Sequence, residues 1–232
     1  MKMISYERLD VAVIVPSMTT WHAEFAMSLI GMLLHFQNNQ VKGAKVQSVR
    51  VINKRGSILP NLRLAGLKDA KSIDASHILW LDSDHEFPST LLNDLLAHQK
   101  DVVAANCAIK TMPSMPTARA FNPSDIKGDP VYTDWNSHGL EKVWRIGTGI
   151  MLMSKRAYMQ VPHSAFGMTY VESSDSYRGE DWGLCEALEK AGCPIFIDHD
   201  VSNACSHIGN FKYTHDYVGH VQVPEGHEEG TE

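Results

Sequence analysis

Two acidic groups in this chain have the composition and spacing that catalysis requires. Asp82-Ser83-Asp84 follows directly on His77-Ile78-Leu79-Trp80-Leu81, and Glu180-Asp181 sits in Gly179-Glu180-Asp181-Trp182. Carboxylates two residues apart at the end of an extended strand project to the same side, so both reach one hard cation, Mg2+ or Mn2+, at roughly 2.0–2.2 Å. They leave most of an octahedral shell to phosphate oxygens, water and one further protein ligand. A D-x-D in isolation is most often a solvated turn. Here the triplet ends a mostly apolar run and precedes a helical pattern, and charge at the rim of a buried strand needs a cation or donors to compensate it.

Glu180-Asp181 opens a helical segment. Acidic residues there cap the helix and are favoured by its positive end, which lowers their basicity. Trp182 serves either as a stacking platform or as core. Gly147-Thr148-Gly149 permits close approach of backbone to a ligand, and it equally suits a tight turn.

The surrounding elements must bring these groups together. Residues 11–15 are a continuous β-branched and apolar run closed by Pro16 and Ser17, as expected of a strand buried on both faces. Trp21, Phe25, Leu29 and Leu33, beside Ile30 and Leu34, give a helical stripe that Thr19 or Thr20 can cap. A strand over residues 45–53, a short helix over 60–70 and a buried strand over 77–81 follow. Ser89 then caps a helix carrying Leu91, Leu92, Leu95 and Leu96. Residues 101–108 read as a further strand, 111–144 as a substrate-facing excursion and 150–153 as an apolar run. A helix from Gly179 to Gly192 and a last strand over 194–198 complete the pattern. The alternation predicts an α/β fold with a parallel or mixed sheet and helices on both faces.

The chain has 232 residues, is 44% hydrophobic and 21% charged, and suits one α/β domain. A formal net charge of −6 with 12 histidines disfavours long-range attraction to nucleic acid or acidic membranes. Four cysteines without a C-x-x-C pair fit a reducing compartment. With no signal-peptide pattern and no apolar stretch near ~20 residues, cytoplasmic residence is expected.

Taken in order, residues 11–17, Asn61 and Arg63 ahead of ILWLDSD, GTGIMLMSK, RGEDWGLCEALEKAG and SNACSHIG resemble the GT-A glycosyltransferases. The likeness spans most of residues 10–210 and is family-two-like, similar to compact bacteriophage and bacterial versions. It implies a GT-A fold in one domain, residues 1–212, with an acidic, loosely held tail over 213–232. It also implies metal-dependent transfer of a sugar from a UDP- or GDP-sugar to an acceptor hydroxyl.

By the same resemblance Asp84 binds Mn2+ or Mg2+, and Asp82, next to Ser83, contacts the nucleotide ribose, the metal or both. His207 completes the metal shell. Pro16 and Ser17 enclose the base and ribose, Arg63 and Arg55 lie near the nucleotide, and Gly147, Thr148 and Gly149 approach the donor. Glu180 and Asp181 flank the reacting sugar, with Asp181 taking the acceptor's proton or holding the sugar, and Trp182 faces the acceptor. The acceptor is a glycan, a protein side chain or a hydroxymethylated DNA base. Lys110, Arg119, Lys127, Lys142, Arg145 and Lys155 are candidates for a local basic surface.

A nucleotidyltransferase would place a Gly-rich basic loop after the first strand, which VPSMTTW does not supply. A haloacid-dehalogenase-like phosphatase would carry its D-x-D after the first strand. A non-catalytic nucleotide-sugar-binding module would not need Asp82, Asp84, Asp181 and His207 together. No clear Q-x-x-R-W block is present, and inversion or retention at the anomeric carbon stays open.

Overall fold

A β-branched run with no polar face can be satisfied only in a strand covered on both sides. In the computed structural model, which describes residues 6–172, 175–209 and 211–218, residues 11–15 lie in such a strand. The strands in chain order are β1 (Tyr6–Ser17), β2 (Ala44–Arg55), β3 (His77–Leu81), β4 (His85–Glu86), β5 (Val102–Ala104), β6 (Arg119–Ala120) and β7 (Asp129–Pro130). They continue with β8 (Leu140–Val143), β9 (Ile150–Ser154), β10 (Thr169–Val171), β11 (Ser176–Arg178), β12 (Ile195–Asp198), β13 (Ser206–Ile208) and β14 (Lys212–Tyr213). The helices are α1 (Ala23–Asn38), α2 (Leu59–Ser72), α3 (Leu91–Ala97), α4 (Lys155–Met159), α5 (Glu180–Lys190) and α6 (His199–Asn203).

The central sheet has seven strands in the order β2-β1-β3-β9-β5-β12-β8. β1 is parallel to β2 and β3, and β5 is parallel to β12, while β9 and the edge strand β8 run against their neighbours. Alternate residues of each strand face opposite layers. Ala12, Ile14, Ile78 and Trp80 pack with Leu67 and Ala70 of α2 and Leu184, Cys185 and Leu188 of α5. Val11, Val13, Val15, Leu79 and Leu81 pack with α1 and α3. The fold is therefore mixed α/β, with a largely parallel sheet covered on both faces.

Several local expectations shift. The buried row of α1 is Phe25, Leu29, Met32 and Phe36, while Ile30 and Leu34 are exposed. Strict four-residue steps drift about 40° per step around a helix of 3.6 residues per turn, so only a mixed 4-3-4 spacing stays on the sheet. Neither α1 nor α3 has a side-chain cap: their N-caps are His22 and Thr90 rather than Thr19, Thr20 or Ser89. β5 keeps only the start of the strand read over 101–108, and the excursion contributes β8 to the sheet edge. Of the segment read as a loose tail, Tyr213 and Val218 pack on Ala108; residues 219–232 of it lie outside the described residues.

The topology decides where chemistry can occur. β1 is flanked by β2 on one side and β3 on the other, and chains diverging this way open a crevice at the carboxyl ends of the strands. β9 runs against β3, so its amino end, preceded by residues 147–149, lies at that same edge. α5 precedes a strand parallel to β5, so its amino end, Glu180-Asp181, is at that edge too.

His77, buried at the start of β3, is held neutral: burial pushes its imidazole down to about 4, against a smaller opposing pull from Asp101. The unfolded chain gains this proton near pH 6.5 and the folded chain only near 4, so stability falls as pH drops through that window. The loss should reach roughly 3 kcal/mol near pH 4 in urea titrations, and the His77→Leu variant should lack this component of the slope.

Candidate functional site

β3 is buried at every position, so the chain must surface immediately after Leu81, and it does so with Asp82. The Asp82 N–H donates to the Gly149 carbonyl at 2.8 Å, tying the strand end to the amino end of β9. The turn through Ser83 and Asp84 leads into β4, which pairs antiparallel with β13 so that His85 stands directly opposite His207. Their rings stack with centroids 4.2 Å apart.

The ligand atoms of Asp84, His85 and His207 all lie within 4.8 Å of one another, a grouping able to hold a metal ion. His207 Nδ1 is 2.9 Å from the Ala108 carbonyl, which only accepts, so that nitrogen carries a hydrogen. Its Nε2 lies 3.3 Å from Asp84 Oδ2, so the imidazole and the carboxylate face the same point. His85 Nδ1, 3.2 Å from Asp84 Oδ1, is buried and makes no well-aligned hydrogen bond. Lys110 Nζ reaches Asp84 Oδ2 at 2.6 Å. Burial works against ionisation of Asp84, but the His207, His85 and Lys110 groups outweigh it and hold the carboxyl far below the usual carboxylate range. One carboxylate and two imidazoles favour a transition ion such as Mn2+ over Mg2+. The donor set fits a divalent ion, with the unpartnered Nδ1 of His85 as the sharpest sign.

Gly149 has a role beyond a ligand approach. A Cβ there would meet the His85 ring at 2.7 Å, so the bare backbone is what admits the imidazole. Gly147 is looser, its nearest neighbour being Thr117 at 3.3 Å. Thr148 is buried with its Oγ1 unpartnered.

Asp82 stands outside the Asp84–His85–His207 grouping. The Arg63 guanidinium, buried beneath the site, grips both its oxygens at 3.0 and 3.1 Å and reaches Glu180 with Nε at 3.1 Å. Arg63 also lies over the Trp80 ring, and its remaining terminal nitrogen has no partner. The residue thus acts as a rivet between β3 and α5. Asp181 accepts from the Trp182 N–H at 2.8 Å and, among the described residues, has no ion-pair partner. Burial and the charge of Glu180 raise its pKa against the opposing Trp182 N–H and Arg63, so burial outweighs the helix start that was expected to lower its basicity. Gly179 leaves room for this side chain, since a Cβ would lie 2.9 Å from Asp181 Oδ1.

Three adjoining cavities link these groups. Pro16, Ser17, Ser83, Asp82 and Asp84 border one of about 260 Å3. A second, about 150 Å3, brings Asp82, His85, His207 and residues 147–149 next to Glu180 and Asp181. The third, about 500 Å3, extends from Asp181 past Thr117, Tyr177 and Trp182. Ser17 accepts from the Asn53 amide at 2.8 Å. Arg55 is exposed and braces the Met18 and Thr19 carbonyls rather than lining the first cavity. Trp182 is half-buried, edge-on to Trp144 and beneath the guanidinium groups of Arg145 and Arg178. A roomier cavity of about 600 Å3 on the far side of Trp144 holds none of the acidic or histidine groups above.

The six basic candidates do not form one surface. Lys110 joins Asp84, Arg119, Lys127 and Arg145 line the third cavity, Lys142 borders the roomier one, and Lys155 pairs with Asp74. Sequence reasoning missed His85, although it adjoins the D-x-D, because its part depends on pairing with a strand 120 residues on. It also missed Lys110 as the partner of Asp84 and Arg178 as the neighbour of Trp182. All four cysteines are buried free thiols, and no helix among the described residues is long and apolar enough to cross a membrane.

No family model matches the chain, and no curated protein matches it in sequence. Among solved structures, A197 from STIV aligns over 96% of this chain and 100% of its own, with a TM-score of 0.57 and 13% identity. The catalytic domain of Drosophila beta1,4-galactosyltransferase 7, in complex with xylobiose, covers 87% of this chain and 71% of its own at TM-score 0.49 and 17% identity. The nucleoside-diphosphate-sugar pyrophosphorylase of Vibrio cholerae RC9 covers 86% and 96% at 0.49 and 12%. The likeness to A197 is one of fold, along nearly all of this chain and the whole of the other.

Removing the rivet should be severe, because it empties a buried site and strands two partly buried carboxylates without their cation. Arg63→Ala should cost about 3–5 kcal/mol in denaturant unfolding, and Arg63→Lys, which cannot fork, should recover only part of that.

Proposed function

We propose that this protein is a metal-dependent glycosyltransferase that moves a sugar from a UDP- or GDP-linked donor to an acceptor hydroxyl. The observation that carries the reading is the Asp84–His85–His207 grouping at the carboxyl end of a buried strand, whose two histidines share a cavity with Asp181. The crevice beside Pro16 and Ser17 suits the nucleotide, in the place where open α/β sheets bind such ligands. A nucleotidyltransferase is less well supported, since the carboxyl end of β1 offers no glycine-rich basic loop.

In the reaction, the acceptor oxygen bonds to the anomeric carbon while the bond from that carbon to the diphosphate oxygen breaks, its electron pair leaving on the phosphate. Asp84, His85 and His207 would hold a divalent ion, which would supply Lewis-acid stabilisation of that growing negative charge. Asp181 receives the proton from the acceptor hydroxyl, and its burial strengthens it as a base. Arg63 fixes the relative positions of Asp82, on the donor side, and Glu180, beside the base. Trp182 and Tyr177 wall the acceptor side. The acceptor classes consistent with this reading are a glycan and a hydroxymethylated DNA base.

The test is incubation of the full chain with Mn2+ and a panel of UDP- and GDP-sugars, following release of the nucleotide diphosphate. Asp84→Ala should abolish both turnover and Mn2+ binding by electron paramagnetic resonance; near-normal activity in this variant would refute the assignment. Asp181→Asn should keep Mn2+ binding but lose about 10²- to 10⁴-fold in rate. In the unmodified enzyme the acid limb of kcat/KM should fall at a pH above the ordinary aspartate value. A third variant probes the ring's seat: Gly149→Ala should displace His85 and weaken Mn2+ binding by about 10- to 100-fold, with the circular dichroism spectrum preserved.

A further inference from the structure

The walls of the cavity leading away from Asp181 carry charge opposite to that of the whole protein. Arg119, Lys127, Arg145 and Arg178 line it against Glu180 and Asp181, in a chain of formal net charge −6. Both carboxylates also border the smaller cavity beside Asp82, and Glu180 is already answered by Arg63. Of the cations, Arg145 and Arg178 share Glu186, and Arg145 also lies 3.1 Å from Glu189. The side chains of Arg119 and Lys127 make no ion pair or hydrogen bond among the described residues.

Two buried polar atoms on the same walls are unsatisfied. Arg145 is 5% exposed, and its Nε has no partner, nor does Oγ1 of Thr117. Such atoms are costly to bury unless something arrives to accept from them. Tyr177 and Trp182 add flat apolar faces of the kind on which a sugar ring rests.

Resting on the donor-site reading above, we propose that the acceptor is an acidic saccharide, whose carboxylate or phosphate is bound by Arg119 and Lys127 with the Nε of Arg145 as a further donor. A cavity of about 500 Å3 is of a size for one or two sugar rings. The field of the whole chain, in contrast, opposes a long polyanion such as duplex DNA.

The experiment is a calorimetric titration of the full-length protein, without donor, using methyl β-glucuronide, glucose 6-phosphate, methyl β-glucoside and a DNA duplex. At least one acidic sugar should bind about tenfold tighter than the neutral one, a charge-assisted difference. Which of the two does so separates carboxylate from phosphate recognition. The gap should close in the Arg119→Gln/Lys127→Gln variant and return in Arg119→Lys/Lys127→Arg, which rules out a mere folding defect. Equal affinity for acidic and neutral sugars, a gap that survives the double glutamine variant, or tighter binding of the duplex would each overturn the proposal. Because binding is read without donor, failure to hydrolyse nucleotide sugars would count against the donor reading and not against this result.

Discussion

A strand buried along its whole length must still deliver charge to its end. Every residue of β3 is buried, yet the next three positions supply two carboxylates. Ionised groups this near an apolar core persist only when each is answered by a counter-charge in a fixed place. The two aspartates are answered separately: Asp82 by a guanidinium rising from α2, Asp84 by groups arriving on β4, β13 and the segment after β5. That division leaves one bound into the scaffold and the other set among imidazoles. The pairing of β4 with β13, the depth of Arg63 and the position of α5 all follow from meeting this electrostatic demand.

Much of this was legible in the sequence because it depended on short-range pattern. The unbroken run at residues 11–15, the apolar approach to Asp82 and the glycine-bounded helix beginning at Glu180 are local signals. Alternation of strands and helices then placed Asp82 and Asp84 at the carboxyl end of a strand, while only the family resemblance set Glu180 and Asp181 near them. What could not be read were relations between distant residues. The stacking of His85 on His207 arises from strand register, and the fork of Arg63 from the approach of α2 to α5 beneath β3. The reversed direction of β9 leaves no mark in its composition, since Ile150-Met151-Leu152-Met153 would suit either sense.

The basicity of Asp181 shows how a local rule yields to its surroundings. A helix start favours the carboxylate over its protonated form, yet the closeness of Glu180 and the loss of water reverse the balance. Trp182 shows the same thing in packing. Sequence offered a choice between core and platform, and the structure makes it an intermediate, half-buried with guanidinium groups over its ring. In both cases the deciding neighbours lie on segments that sequence spacing does not connect.

The ammonium of Lys110, seated against Asp84, bears on how such a protein assembles. With that carboxylate neutralised by the chain's own atoms, the sheet closes without waiting for an ion, unlike small domains that are unfolded until metal nucleates them. Any cation entering among Asp84, His85 and His207 would have to displace that ammonium from the carboxylate. The strength with which the lysine holds its place would then set the free-ion concentration at which the group fills.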